Sequence, residues 1–484
     1  MNTLTDANLL TTADATQLRE SFDQLLSRHG AAPYPDWPVR AARLQSLINL
    51  LLEHRMRIAE AISADFGHRS SHETELLEVF PSVEGLRHAL SHGKSWLRER
   101  RSPVSLWFLP GSAAVLPQPV GVVGIIVPWN YPLFLLIGPL TSAIVAGNLA
   151  MVKLSEFTPR FAALMAELLP KALGTDVVRV VTGGADVAAA FSSLPFGHLL
   201  FTGSTAVGHH VMRAAAEHLV PVTLELGGKS PAIITAETCA NAARFSNAVR
   251  RIIAGKVLNA GQTCIAPDYV LLPEAAIPRF IAEAKDVLKK QYPEGAAGDD
   301  FTGVATDRHF ARLQQLVTEA TAAGAEASIM MAAARDGQRK LPLTVLTKCP
   351  DEMRVMQEEI FGPVLPLVAV ESLDAAIAYV NERPHPLALY LFSDSSAQQQ
   401  RVLQSTLAGG VSVNETLMHI AQDGLPFGGV GPSGMGHYRG RFGFDTMSKL
   451  KPVFRQSRIN GMGLFAPPYG AFFSRMIKFM LRSG

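Results

Sequence analysis

Short apolar runs alternate with helical patterns along most of the chain, and this alternation constrains the fold more than any other feature. Four runs in the first half have the length of strands: Val120–Val127, Leu149–Leu154, Val177–Val181 and His198–Thr202. Four more follow in a second series: Pro231–Ile234, Tyr269–Leu272, Leu365–Val370 and Leu387–Phe392. Helical patterns such as Pro159–Leu173 lie between the runs, and this order indicates parallel sheets built from βαβ units. The sequence therefore predicts an α/β protein with two α/β domains and a boundary near Leu226–Gly228.

The segment from Ser102 to Val152 contains no charged residue, and residues 131–152 are apolar over a length that could span a membrane. Proline and glycine interrupt this region at five positions: Pro128, Pro132, Gly138, Pro139 and Gly147. Because such residues end strands and helices, we interpret the region as pieces of strand, turn and helix in a buried core. Residues 40–66 show the opposite pattern, apolar residues at helical spacing between charged ones, and predict an amphipathic helix.

Composition excludes several classes of protein. The chain has 44 Lys and Arg against 42 Asp and Glu, so it offers no electrostatic basis for binding nucleic acid. Its three cysteines are too few and too scattered for a disulfide framework or a zinc site. We therefore expect no metal and a reducing, cytoplasmic location. Residues 1–17 lack the basic and apolar regions of a signal peptide.

The first candidate for a binding site is the glycine-containing turn after His198–Thr202. Gly203, Ser204 and Gly208 lie where a strand pattern changes to a helical one. Glycines let backbone N–H groups approach a phosphate, and the start of a helix adds a partial positive charge. The pattern is not the GxGxxG fingerprint, so an ordinary βα turn explains it equally well.

The second candidate is Glu225, which ends an apolar run just before two glycines. Partial burial would raise its pKa toward the range of a general base. On this feature alone, a structural carboxylate paired with Lys229 is the better explanation.

The third candidate is Cys264, which lies in a turn rich in Gly, Asn and Gln. A cysteine in such a turn can be activated as a thiolate. A buried, unreactive cysteine is the alternative, and Cys239, in a helical pattern, and Cys349, in a turn before Pro350, fit that alternative better.

These candidates occur together with three further motifs: Pro128-Trp129-Asn130-Tyr131-Pro132, Lys153-Leu-Ser-Glu156 and Gln357-Glu-Glu359-Ile-Phe361-Gly-Pro363. The set resembles the aldehyde dehydrogenase superfamily from about residue 40 to residue 457. The phrases LELGGKSP, GQTCIAPDY, EEIFGPVLP and LPFGGVGPSGMG are long and specific. Within the superfamily the chain is most similar to the class 3 branch, which includes the coniferyl aldehyde dehydrogenases.

The resemblance implies a role for each matching residue. Cys264 matches the nucleophile, Asn130 the side-chain donor of the oxyanion hole, and Glu225 the base that activates water. The remaining matches imply a cofactor site formed by Lys153, Glu156, Gly203, Ser204, Gly208, Glu359, Phe361 and Trp129. The implied reaction is the oxidation of an aldehyde, aromatic of the coniferyl type or medium- to long-chain aliphatic, to its acid through a thiohemiacetal and a thioester. Trp129, Tyr131 and Thr416–Ile420 are expected to line the substrate tunnel.

The implied fold is a Rossmann-like cofactor-binding domain, a second α/β catalytic domain and a small β oligomerisation arm. We expect residues 1–226 to form the cofactor domain, with about 102–119 in the arm, and residues 227–426 to form the catalytic domain. Residues 427–484 would return to the cofactor domain and add a bridging strand near Leu450–Ser457 and a tail. Relatives of this branch imply a homodimer.

The cofactor is expected to be NAD. A carboxylate such as that of Glu156 hydrogen-bonds a ribose 2′-OH and repels a 2′-phosphate. Lys153 could neutralise that phosphate, so NADP is the alternative.

Three other functions are compatible with parts of the same site. A CoA-acylating dehydrogenase resolves the thioester with a thiol, but members of that type usually lack the residue that Glu225 matches. A cysteine esterase or hydrolase needs a base, typically His, beside Cys264, whereas His209 and His210 lie in the helix after the phosphate turn. A non-catalytic binding protein would not require the whole set. We favour the dehydrogenase that forms free acids.

The C-terminal tail predicts a short helix after Pro468 and Gly470. One face would hold Phe472, Phe473, Met476, Ile477, Met480 and Leu481, and the opposite face would hold Arg475, Lys478 and Arg482. About a dozen residues are too few to span a bilayer. We favour packing on the protein itself or a dimer partner over a lid on the substrate funnel, and both over contact with a membrane surface.

Overall fold

Three β-sheets organise residues 12–482, the part of the chain that the computed structural model describes. Residues 1–11, which belong to the region where no signal peptide is predicted, lie outside the described residues. The strands are β1 (Arg100–Ser102), β2 (Ser112–Pro119), β3 (Val122–Ile126), β4 (Leu149–Lys153), β5 (Val178–Val181), β6 (His198–Thr202), β7 (Val222–Glu225), β8 (Pro231–Ile234), β9 (Tyr269–Leu272), β10 (Glu326–Ile329), β11 (Thr344–Thr347), β12 (Val364–Ala369), β13 (Ala388–Phe392), β14 (Gly410–Val413), β15 (Gly434–Met435) and β16 (Ser448–Arg455).

The α-helices fill the intervals between these strands and cover the sheets. They are α1 (Thr12–Ala31), α2 (Trp37–Asp65), α3 (Ser71–Thr74), α4 (Phe80–Trp96), α5 (Phe134–Ala146), α6 (Pro159–Leu173), α7 (Ala185–Ser192), α8 (Thr205–Ala216), α9 (Ala236–Ala240), α10 (Ala242–Val257), α11 (Ile277–Gln291), α12 (Asp307–Ala322), α13 (Arg354–Gln357), α14 (Leu373–Asn381), α15 (Ser396–Ser405), α16 (Gly440–Thr446) and α17 (Ala471–Met480). A π-helical turn, Glu75–Val79, joins α3 to α4.

The first sheet has six strands in the order β15-β7-β6-β3-β4-β5. Strands β3 to β7 run parallel, and β15 is antiparallel to β7. Every residue of β3, β4 and β6 is buried, as expected of parallel strands covered on both faces. The first four strand predictions are confirmed as β3, β4, β5 and β6.

The second sheet has seven strands in the order β10-β11-β12-β9-β8-β13-β14, parallel except for the β10–β11 pair. The second series of strand predictions is confirmed as β8, β9, β12 and β13. The chain passes from one sheet to the other between Glu225 and Pro231. The domain bounds inferred from the sequence stay predictions.

The uncharged segment folds as separate pieces in the core. Helix α5 has 13 residues, nearly all buried, and ends where Gly147 adopts a left-handed φ of 92°. Strand β4 follows directly. None of the helices within residues 12–482 combines the length and the apolar character needed to cross a membrane. The predicted amphipathic helix is confirmed as α2, which Asp36 caps by accepting a hydrogen bond from the Val39 N–H.

The third sheet is an antiparallel arm, in the order β1-β2-β16. Strand β16 pairs with β2 over its whole length, from Ser448 opposite Pro119 to Arg455 opposite Ser112. The predicted strand therefore exists, two residues earlier in the chain than expected.

The predicted tail helix is confirmed as α17, and it packs toward the arm of its own chain. The rings of Trp107 and Phe479 lie 6.0 Å apart, edge to face. The predicted apolar face is only partly correct. Its half-buried members are Phe473, Met476, Ile477 and Met480, whereas Phe472 and Leu481 are exposed. The contact with Trp107 is made by Phe479, which was not part of the predicted face.

Candidate active site

The glycine-containing turn joins β6 to α8. Ser204 caps α8, because its Oγ accepts a hydrogen bond from the Val207 N–H. Gly208 allows close packing of the helix, since a Cβ there would lie 2.8 Å from the Leu226 side chain. The start of α8 faces a cavity of about 740 Å³ that Gly203 and Ser204 line. The turn therefore combines a helix N-terminus with a cavity large enough for part of a dinucleotide.

Lys153 and Glu156 line the same cavity at its other end. The Lys153 side chain is 3% exposed and its Nζ donates to Glu156 Oε2 at 2.8 Å, while 36% of the Glu156 side chain is exposed. The buried ammonium thus holds the carboxylate at the cavity wall, where it can accept hydrogen bonds from a ribose.

A second cavity, of about 260 Å³, adjoins the first and shares Pro128, Trp129, Thr202, Gly203 and Ser204 with it. The structure brings every remaining predicted site residue into this cavity: Cys264, Glu225, Asn130, Glu359 and Phe361. Residues from distant parts of both series of strands therefore meet in one cleft.

Glu225 is the last residue of β7 and is 3% exposed. Both of its carboxylate oxygens are buried without a hydrogen-bond partner, and burial raises its pKa well above the ordinary value of 4.5. The ion pair with Lys229 that the sequence favoured for Glu225 taken alone is wrong, because Lys229 pairs with Asp268 instead. A buried carboxylate without a partner is free to accept a proton from a molecule in the cavity.

Cys264 follows a strained turn at the end of α10. Asn259 and Ala260 both have a φ of 51°, which is unusual for residues with side chains. Gln262 is fully buried and braces the turn, since its Nε2 donates to Asn259 O at 2.9 Å and to Gly303 O at 3.0 Å. Such bracing fixes the backbone that carries the thiol.

The pKa of Cys264 lies well above the ordinary thiol value. Burial is the largest cause, and the nearby carboxylates of Glu359 and Glu225 add to it. In the protein alone, burial therefore favours the neutral thiol of Cys264 over the thiolate. A cationic ligand in the same cavity would favour the thiolate.

Asn130 is buried and lies on the loop between β3 and α5. Its side-chain Nδ2 donates to Gln262 O at 3.2 Å, and its backbone O accepts a hydrogen bond from Asn259 Nδ2 at 3.0 Å. The loop of Asn130 and the turn before Cys264 are therefore bonded to each other, and Asn130 and Cys264 line the same cavity.

Glu359 and Phe361 enter the cavity from the loop between α13 and β12. Burial raises the pKa of Glu359 to about 8. The Phe361 and Trp129 rings lie 5.4 Å apart, edge to face. Asp268 accepts a hydrogen bond from the Ile360 N–H at 2.9 Å, which fixes the loop between them.

Several residues of the cleft were not predicted from the sequence. His309 lines the Cys264 cavity, but its Nε2 donates to Phe361 O at 2.7 Å, and burial lowers its pKa to about 4. Arg312 donates to Glu359 O at 2.6 Å. Both residues lie on α12, far from any recognised motif, so only the tertiary fold could identify them.

Only some of the residues expected to line a substrate tunnel lie at a cavity wall. Trp129 lines both cavities, whereas Tyr131 is buried with its hydroxyl 2.7 Å from Thr263 Oγ1. In the segment Thr416–Ile420, Met418 is half exposed, and Thr416 is buried with its hydroxyl donating to Arg251 O at 3.0 Å. The tunnel assignment stays a prediction.

The fold places two adjoining cavities between the two larger sheets' connections, one of them lined by Cys264, and comparison with known proteins identifies the class of protein. Residues 10–453 match the model of the aldehyde dehydrogenase family, and the chain belongs to this family. The predicted superfamily, the α/β fold with a cofactor domain, a catalytic domain and an arm, and the activity of an aldehyde dehydrogenase are thereby confirmed.

The similarity to individual relatives covers nearly the whole chain. A protein of Pseudomonas aeruginosa named "Probable coniferyl aldehyde dehydrogenase" is 49% identical over 464 residues, 96% of each chain. The substrate-bound structure of AldH from Staphylococcus aureus has a TM-score of 0.89 at 34% identity, covering 96% of this chain and 99% of that one. A variant of aldehyde dehydrogenase C from Pseudomonas syringae, solved with NAD+ and octanal, has a TM-score of 0.81 at 26% identity, covering 92% and 90%.

Proposed function

We propose that this aldehyde dehydrogenase forms free carboxylic acids through a covalent intermediate on Cys264. The thiolate adds to the aldehyde carbon, and the resulting oxyanion accepts hydrogen bonds from Asn130 Nδ2 and the Cys264 N–H. Loss of hydride from the thiohemiacetal leaves a thioester. Glu225 then takes a proton from water as the water attacks the thioester, and the acid leaves while the thiolate is restored. A bound nicotinamide dinucleotide supplies the acceptor for the hydride.

The observation that carries this proposal is the meeting of Cys264, Asn130 and Glu225 in one cavity, with both oxygens of Glu225 unpartnered. Because burial raises the pKa of Glu225, its carboxylate is a stronger base than an ordinary glutamate. A water-activating base beside the nucleophile favours hydrolysis of the thioester over transfer to CoA.

The residues of the cleft fit a nicotinamide dinucleotide. Thr202 Oγ1 is buried without a partner at the cavity wall, and the start of α8 is suited to a pyrophosphate. Glu359 and Phe361 would hold the nicotinamide ribose and ring, with Trp129 packed against Phe361. We favour NAD over NADP, because the Glu156 carboxylate would accept a hydrogen bond from a ribose 2′-OH and repel a 2′-phosphate. Since Lys153 partly neutralises that carboxylate, some use of NADP is expected.

For the substrate we propose an aromatic aldehyde of the coniferyl type, with medium- to long-chain aliphatic aldehydes second. The name of the Pseudomonas aeruginosa relative supports the first class, and the octanal in the Pseudomonas syringae structure supports the second.

Absorbance at 340 nm, recorded with both classes of aldehyde, with NAD and NADP, and with and without CoA, tests this function. We expect CoA-independent reduction of NAD with release of the acid. Activity that requires CoA would contradict the proposal, as would hydrolysis of esters without any aldehyde oxidation.

We also propose a homodimer in the cytoplasm. Within the described part of the chain, β16 lies at the edge of the arm sheet, and an edge strand can pair with a second copy. The three scattered cysteines suit a reducing compartment. Light scattering that finds a monomer at micromolar concentration would contradict the dimer.

A further inference from the structure

Three buried ionisable side chains lie on one short segment, and the proposed mechanism uses none of them. They are Arg69, Glu73 and Glu78, which are 1%, 8% and 0% exposed. The segment contains the π-helical turn Glu75–Val79, in which the Phe80 N–H donates to Glu75 O. Residues five apart in an α-helix point about 140° apart. The i→i+5 geometry of a π-turn brings Glu73 and Glu78 nearer to the same side of the segment.

Glu78 binds the start of α5, directly after the loop that carries Asn130. Its Oε2 accepts hydrogen bonds from the Leu133 N–H at 2.7 Å and the Phe134 N–H at 3.1 Å. A carboxylate is stabilised at this position because the N-terminus of a helix carries a partial positive charge. Glu78 thereby fixes the downstream end of the loop.

Arg69 binds the same loop from its other side. Its Nη1 donates to Glu78 Oε1 at 2.6 Å and to the backbone O of Asn130 at 3.4 Å. The guanidinium also lies over the Tyr131 ring, with its central carbon 5.0 Å from the ring centroid. The backbone O of Asn130 is thus bonded both to Arg69 and to Asn259, which precedes the nucleophile.

We propose that Glu78 and Arg69 are positioning residues for the oxyanion hole, which hold the backbone of Asn130 so that its side chain meets the developing oxyanion. This inference rests on the proposed role of Asn130. Neither residue lines the Cys264 cavity, so neither is expected to touch the aldehyde or the cofactor. An oxyanion donor works only within about 2.7–3.1 Å of the oxygen, and misplacement by about 1 Å can lower a rate about 100-fold.

Glu73 supports the same interpretation of the segment. Its carboxylate accepts hydrogen bonds from the Asn259 N–H, at 3.2 Å, and from the Thr302 hydroxyl. The segment therefore binds the turn before Cys264 as well as the Asn130 loop, and it fixes the distance between the donor and the nucleophile.

The test is a mutant cycle with Asn130. The double substitution Arg69→Met/Glu78→Gln removes both charges together, because removing one would leave the other buried and unpaired. We expect the rate of single-turnover NADH formation to fall at least about tenfold, with NAD affinity unchanged. In the Asn130→Ala background the same double substitution should lower the rate less than about twofold, because there is no donor left to misplace.

Arg40→Met is the matched control. Arg40 is as buried as Arg69 and donates to Val145 O at 2.9 Å, at the opposite end of α5. This variant should lower the melting temperature and leave the single-turnover rate within about twofold of the parent. If the Arg69/Glu78 double variant does not fold, Arg69→Lys replaces it, since Lys keeps the charge but its shorter side chain ends before the position of Nη1, which makes both of the Arg69 hydrogen bonds.

The outcomes are distinct. The inference would be overturned if the double substitution lowered the single-turnover rate by the same factor in the Asn130 and Asn130→Ala backgrounds. A normal rate in the double variant, or in folded Arg69→Lys, would also overturn it. Near-normal turnover of Asn130→Ala by itself would instead refute the proposed role of Asn130, and the inference with it.

Discussion

Gly227→Ala should impair the cofactor site through one close contact. A Cβ at this position would lie 1.9 Å from Glu359 Oε2, whereas ordinary contact begins at 3.4 Å. The Glu359 carboxylate must therefore move by about 1.5 Å, away from the place where it would hold the nicotinamide ribose. Displacement by about 1 Å can lower a rate about 100-fold, which corresponds to about 2.7 kcal/mol. The backbone of Gly227 is not in the left-handed region, so the substitution itself introduces no backbone strain.

The neighbouring Gly228→Ala variant is the matched control. Its Cβ would lie 3.3 Å from the nearest atom, Leu387 N, so a shift of a few tenths of an ångström accommodates it. Steady-state kinetics should show kcat/KM for NAD reduced about 100-fold in Gly227→Ala and within about threefold of the parent in Gly228→Ala. Equal constants for Gly227→Ala and the parent protein would refute the placement of Glu359 at the cofactor.

Three further predictions concern the cofactor, the nucleophile and the tail. Glu156→Gln should raise KM for NAD and lower KM for NADP, because one hydrogen bond and one repulsion are lost; an unchanged ratio of the two constants would mean that Glu156 does not face the ribose. Alkylation of Cys264 by iodoacetamide without cofactor should still accelerate above pH 9, because the pKa of this thiol is raised and only the thiolate reacts. Glu225→Gln should shift that pH profile to lower pH by removing a nearby negative charge, and an identical profile would contradict the coupling. Deletion of residues 466–484 should lower the melting temperature without changing the preference between short and aromatic aldehydes, since Phe479 packs on Trp107; a changed preference would favour a lid.

The strands of the six-stranded and seven-stranded sheets were predictable where they are continuously apolar. Leu149–Leu154 and His198–Thr202 match β4 and β6 within one residue. Strands β11 and β14 were not predicted, because Thr344–Thr347 and Gly410–Val413 are short and mix apolar residues with Thr, Ser or Gly. Their strand conformation is determined by pairing with neighbours distant in the chain.

The site residues that lie in recognisable sequence motifs were predictable. Cys264, Glu225 and Asn130 lie in recognisable phrases, and they share one cavity. Glu78 and His309 lie in ordinary helical patterns, and what they bind is 55 and 52 residues away in sequence. No local pattern encodes such contacts, so only the tertiary structure reveals them.

We infer that oxidation proceeds through an acyl group on Cys264 that Glu225 helps to remove. Rapid-quench mass spectrometry of Glu225→Gln, with NAD and an aromatic aldehyde, tests this mechanism. We predict reduction of about one equivalent of cofactor per site, followed by a stall with the acyl group on the Cys264 peptide, because general-base catalysis typically contributes about 100- to 10,000-fold. Continued turnover at the parent rate, or reduced cofactor without any adduct on Cys264, would contradict the account.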